Sequence, residues 1–148
     1  MREGYFWDVM EGRRAQPPAA ALLGFELIEI DESKGTIRVR FTARPEFTNP
    51  IGIVQGGFVA AMLDDTLGPA LQSTLGPDQF APTLELKVNF VSPAKPGVFV
   101  ADGRVVARGG SIAFLAGELR TEDGTLVATA TATARVVVPR SGFADGSD

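Results

Sequence analysis

The chain has 148 residues, 45% of them hydrophobic and 22% charged, a balance that suits one globular domain with its own core and argues against disorder. A net charge of −4 and a pI near 4.9 offer no basic field to nucleic acid. Cysteine and histidine are both absent, which removes disulfides, thiol nucleophiles and thiolate metal sites, so any catalysis must run on carboxylates, amides, hydroxyls and backbone.

The N-terminus, MREGYFWDVMEGRR, lacks the apolar core of a signal peptide, and no run approaches the roughly 20 apolar residues that span a bilayer. Neither export nor a membrane partner is expected, and a cytoplasmic protein is the default. Residues 3–13 are expected to form a short amphipathic helix, with Phe6, Trp7 and Met10 at helical spacing. Pro17-Pro18 then ends that helix and opens a connector. Phe25–Ile30 alternates as a strand, Asp31–Gly35 is a turn, and Thr36–Ala43 is a second strand with Ile37, Val39 and Phe41 on one face.

After a loop at Arg44–Val54 the spacing predicts one long helix, Gly56 to Thr74. Its stripe is Val59, Met62, Leu63, Thr66, Leu67, Ala70 and Leu71, with Pro69 forcing a kink or a tightened last turn. Strands follow at Thr83–Val91, Gly97–Arg108, Ser111–Thr121 and Thr125–Val138. The last two breaks, Gly109-Gly110 and Glu122-Asp123-Gly124, are short enough for hairpins. Short hairpins imply an antiparallel sheet, and a single striped helix must bury its face on it. The expected architecture is therefore α+β, one domain over residues 1–148, with a core from about 23 to 138 and a polar, fraying tail at 139–148.

Two features of the helix carry chemistry. Gly56-Gly57 at its start leaves backbone N–H donors open to close approach by another group. Asp64 and Asp65 lie further in, rotated about 100° from each other and so at opposite edges of the apolar stripe. A carboxylate at such a border can keep solvent access while desolvation raises its pKa. Gly56 and Asp64 are separated by about 12 Å along the axis at about 1.5 Å per residue, too far for one carbonyl to touch both. If they serve one reaction, the second group must come from another copy of the helix, which implies a two-fold dimer with composite sites.

The pattern N-x-x-G-x-x-x-G-G-x-x-x-x-x-x-D at 49–64, followed by Thr83-Leu84-Glu85-Leu86-Lys87-Val88-Asn89-Phe90, resembles the hotdog-fold acyl-CoA thioesterases, closest to the PaaI-like group. The resemblance extends from about Leu23 to Val138. It implies a hotdog fold, an antiparallel sheet wrapped around one central helix, and hydrolysis of acyl-CoA to free acid and CoA. It further implies a homodimer, pairing into a dimer of dimers, and no cofactor or metal, coenzyme A being part of the substrate. Residue by residue, Asp64 would be the base or nucleophile and Gly56 would give its N–H to the thioester carbonyl. Asn49 would orient that carbonyl or the attacking water, and Thr83 would support the acid. Gln55 and Gly57 would flank the carbonyl site, and Arg108, Gly110 and Ser111 would contact the CoA nucleotide.

One departure stands out: the family usually carries His-Gly-Gly where this chain has Gln55-Gly56-Gly57, and glutamine cannot titrate near neutrality. Hotdog dehydratases and hydratases use a histidine with an acidic partner, and the absence of histidine argues strongly against that reading. A non-catalytic acyl-CoA binding or sensing module remains the alternative of a different class. Phe6, Trp7, Phe47, Phe58 and Phe90 are candidate linings for an acyl pocket as well as plain core.

Overall fold

A computed structural model describes residues 2–144. Six strands, β1 (Glu26–Asp31), β2 (Thr36–Ala43), β3 (Thr83–Phe90), β4 (Gly97–Gly109), β5 (Ile112–Thr121) and β6 (Leu126–Arg135), form one antiparallel sheet. Their spatial order is β1-β2-β4-β5-β6-β3. The strand that follows the helix thus crosses to the far edge and pairs with the last strand of the chain. The long helix α3 (Gly56–Gln72) lies on the inner face, and its buried residues are the seven of the expected stripe. This is the hotdog architecture, with seven of the elements, the six strands and α3, within a few residues of where their periodicity puts them.

Close helix–sheet packing has a local cause. Gly103 and Gly117 face each other on β4 and β5, where Thr66 and Leu67 of α3 press down. A Cβ on Gly117 would stand 2.5 Å from the Asp102 carbonyl oxygen and 2.9 Å from Leu67 Cδ2, so only glycine fits. Phe41, Phe99, Met62, Leu63, Leu115 and Leu119 fill the layer between helix and sheet. The hydroxyl of buried Thr66 donates to the Met62 carbonyl at 2.8 Å, so it costs the core no unpaired polar atom. Helix α3 runs through Pro69 and tightens after it, with Thr74 and Leu75 N–H donating to carbonyls three residues back.

Two differences from the sequence reading lie at the N-terminus. The first helix is only α1 (Tyr5–Met10), because the chain reverses at Gly12, whose φ is 77°. Pro17-Pro18 starts a helix rather than a connector: α2 (Pro18–Leu23) has Pro18 in its first turn and ends on Gly24 at φ 70°. Phe25 and Gly24 N–H close that end onto the Ala20 and Ala21 carbonyls, the Schellman pattern. The tail reading falls partly on residues 145–148, outside those described. Among the described residues no helix is long and apolar enough to cross a membrane.

Candidate active site

The expected site residues fall into two clusters on α3, one at its start and one at its middle. At the start, the loop Pro45–Val54 is locked by Asn49. Its side-chain oxygen accepts from the N–H groups of Ile51 and Ile53, each at 3.1 Å, while its own N–H donates to the Ile53 carbonyl at 2.7 Å. The Asn49 amide therefore has its acceptor committed and its NH₂ left to donate.

Gln55 caps α3 through its backbone alone: its N–H donates to the Phe47 carbonyl at 2.8 Å, and its carbonyl receives Phe58 and Val59. Gly56 and Gly57 are the first two residues of the helix, and among the described residues no acceptor faces their N–H groups. The Phe90 ring sits where a Gly56 side chain would begin, 3.1 Å from that Cβ position, whereas Gly57 faces open space. Phe47 and Phe58 stack beside this cluster with ring centroids 4.1 Å apart.

The second cluster is built by α3 and the start of β3. Asp64 is exposed, and the Thr83 hydroxyl donates to its Oδ1 at 2.8 Å, leaving Oδ2 free. Thr83 reaches it because β3 occupies the sheet edge beside the helix middle. Asp65 lies one residue on, half-buried, with an Oδ2 shielded from solvent and without a hydrogen-bond partner. Burial first, and the charge of Asp64 second, push its carboxyl up to about 7. The desolvation anticipated for a border carboxylate thus falls on Asp65. Nothing in the sequence marks Asp65 for this, because the α1 and α2 residues that share its cavity lie more than forty residues earlier.

Both aspartates and Thr83 border a cavity of about 560 Å³. Its walls are the outer face of α3, α1, α2, the Phe80–Pro82 segment and Phe143, and they are mostly apolar. Of the five aromatic candidates, Phe6 alone lines this cavity; Phe47, Phe58 and Phe90 belong to the helix-start cluster, and Trp7 is buried against Phe6 and Arg2. Tyr5, Phe80 and Phe143 are lining residues that no pattern in the sequence singled out. The α2 wall was legible: a proline at a helix start and a glycine just past its end frame residues 18–23.

Arg108, Gly110 and Ser111 form the exposed tip of the β4–β5 hairpin, where Arg108 Nε donates to the Gly110 carbonyl at 3.1 Å. Strand register puts Thr83, Ala134, Ala113 and Arg108 in one row across β3, β6, β5 and β4. At about 4.8 Å per strand, the hairpin tip is about 14 Å from Thr83. Within one protomer, then, neither this tip nor the Asn49–Gly57 cluster meets Asp64. Among the described residues no group of three or more acidic side chains is placed to hold a metal ion.

The profile of the thioesterase superfamily matches residues 51–128, more than half of the chain; this span contains Gly56, Asp64, Thr83 and the hairpin tip, and Asn49 lies two residues before it. A phenylacetic acid degradation-related protein of Ralstonia eutropha JMP134 is 36% identical; the match covers 89% of this chain and 99% of that one, at a TM-score of 0.85. A thioesterase family protein from Silicibacter pomeroyi is 25% identical over 91% of this chain and all of that one, with a TM-score of 0.80. A Streptococcus mutans UA159 protein solved with acetyl-CoA bound is 26% identical, covering 78% of this chain and 90% of that one at a TM-score of 0.70. Sequence span and fold agree: the chain belongs to the thioesterase superfamily, the hotdog-fold hydrolases of thioesters.

Proposed function

We propose that the protein hydrolyses acyl-CoA thioesters to a free acid and CoA, with the acyl group in the cavity beside Asp64. The observation that carries this reading is the Asp64–Thr83 pair at the rim of that cavity. A carboxylate held through one oxygen, with the other free, can take a proton from water or attack a carbonyl itself. In the first route water adds to the thioester carbon as its proton passes to Asp64 Oδ2. The tetrahedral oxyanion then collapses, the C–S bond breaks, and the proton leaves with the CoA thiolate. In the second route Asp64 attacks the thioester carbon, the C–S bond breaks and CoA thiolate leaves; water then cleaves the resulting anhydride to the free acid and the Asp64 carboxylate, and its second proton ends on the thiolate.

Negative charge develops on the carbonyl oxygen in both routes. The open N–H groups of Gly56 and Gly57 suit that charge, and the free NH₂ of Asn49 is a third donor. They lie about 12 Å along the helix from Asp64, so the donors come from a second copy of the chain. Two properties of β3 favour such a dimer. Its outer edge is unpaired in the sheet, and Leu84 and Phe90 along it, with Val91 just beyond, are exposed apolar side chains. A dimer of dimers would be built from this unit. Arg108, Gly110 and Ser111, at an exposed hairpin tip, suit the nucleotide of CoA, and the reaction requires no separate cofactor. The acetyl-CoA held by the Streptococcus mutans relative supports a CoA thioester as the substrate class.

The test is release of CoA thiol from a panel of acyl-CoAs by wild type and by Asp64→Ala. Turnover that falls at least about 100-fold in the variant, with the fold unchanged by circular dichroism, supports the reading. Tight binding of acyl-CoA with no turnover by the wild type would overturn it in favour of a binding module.

A further inference from the structure

The cavity beside Asp64 is elongated along α3: Ala61, Asp64, Gly68 and Gln72 lie along one wall. Asp64 stands near one end. The other end is fixed by the Gln72 side chain, which donates to the Gln79 carbonyl at 2.6 Å and so holds the segment before β3 against the helix. Phe80 follows directly. Its N–H and carbonyl pair with Val137 at 2.8 and 2.7 Å, drawing the chain after β6 alongside.

From there the chain turns at Gly142, whose φ is 68° and whose N–H donates to the Pro139 carbonyl. That turn brings Phe143 back over the cavity. The Phe143 ring stacks on Tyr5 with centroids 4.8 Å apart and planes 5° from parallel, and it meets Phe80 edge-on at 6.0 Å and 88°. Both geometries fall in the range where aromatic pairs attract, about 4.5–7 Å between centroids. Arg14 lies over the other ring of the stack, 4.8 Å from the Tyr5 centroid. Three rings from three distant parts of the chain thus meet at one place, and all three line the cavity. Core packing does not demand this, since Phe80 is exposed on its outer side and the sheet is complete at Arg135.

We propose that Phe143, held by Tyr5 and Phe80, is the end wall of the acyl pocket and sets the length of acyl chain the enzyme accepts. This rests on the assignment of the cavity to the acyl group. From Asp64 to Gln72 the helix advances about 12 Å. An extended chain covers that distance in roughly ten bonds, at about 1.2 Å per bond. The substrate class is therefore compact and medium-chain acyl groups up to about ten carbons, and longer chains meet the rings. Each further methylene that a widened pocket buries favours binding about fourfold.

The experiment compares kcat/KM for butyryl-, octanoyl-, decanoyl- and tetradecanoyl-CoA in wild type, Phe143→Ala and Phe143→Trp. Calorimetric binding of the corresponding free acids is measured in parallel. The tetradecanoyl-to-octanoyl ratio should rise at least about tenfold in Phe143→Ala, and the decanoyl-to-butyryl ratio should fall in Phe143→Trp, with acid binding following the same order. Phe143→Trp keeps an aromatic partner for Tyr5, so it decides the matter should the alanine chain lose its fold. Ratios within twofold of wild type in the folded variants, by both readouts, would overturn the end wall while leaving hydrolysis intact. Acids that bind with the stated length limit to a wild type without turnover would instead support the wall and remove the hydrolase reading.

Discussion

Asp65 gives the most demanding test of this structure, because it should cost the protein stability in a manner set by pH. Its Oδ2 is shielded and unpartnered, and Pro69, four residues on, has no N–H to give the Asp65 carbonyl. Among the described residues that line the cavity, the other titratable groups are Asp64 and Tyr5, and neither is a cation. Burial, then the neighbouring Asp64 charge, raise the carboxyl from 3.8 to about 7. An acid whose folded-state pKa is raised binds more protons folded than unfolded between those two values. The stability this proton provides is fully present below pH 3.8 and is lost as pH rises through about 7.

Over that window, at about 1.4 kcal/mol per pH unit, the loss amounts to about 4 kcal/mol. Asp65→Asn keeps the shape and cannot ionise. Urea denaturation followed by circular dichroism, at one protein concentration and at steps from pH 4 to pH 8, should find the two proteins about equally stable at the acid end. The variant should gain steadily up to pH 7 and hold a plateau beyond it. In an Asp64→Asn background the midpoint of that gain should move to lower pH, since one of the two causes is gone. A stability difference that stays constant with pH would refute the burial of this carboxyl.

Other outcomes follow from the same geometry. Thr83→Ala should reduce kcat about tenfold with KM little changed, because it frees Asp64 Oδ1 without removing the acid; unchanged kinetics would strike Thr83 from the site. Asn49→Asp keeps the oxygen that Ile51 and Ile53 require but loses the free NH₂, so it should cut turnover without unfolding the loop. Verified heterodimers of an Asn49→Asp chain with an Asp64→Ala chain should recover up to about half of the wild-type activity, one of their two composite sites being intact; no recovery would refute a site shared between chains. Gly117→Ala should lower stability by about 3 kcal/mol in the same urea titrations, because its Cβ would press on the Asp102 carbonyl and Leu67.

Local chemistry wrote most of the fold into the sequence. Alternation placed β2 at Thr36–Ala43, and the apolar stripe from Val59 to Leu71 named every buried residue of α3. Each of these signals lies within a few residues along the chain, where periodicity of 2 or 3.6 can be read directly. The short helix Pro18–Leu23 was equally local, and its proline and glycine boundaries announce it to a reader who weighs them. The motif that joins Asn49, Gly56 and Asp64 was also legible, and with it the superfamily.

Tertiary structure alone decided which carboxylate is desolvated. Asp64 and Asp65 are identical in chemistry and adjacent in sequence, yet in the folded chain Asp64 is exposed while Asp65 is half-buried with one shielded oxygen. The same holds for the cavity wall, where Tyr5, Phe80 and Phe143 meet across most of the length of the chain. A pKa or a pocket is set by everything within a few ångströms in space, and sequence order carries no record of those neighbours.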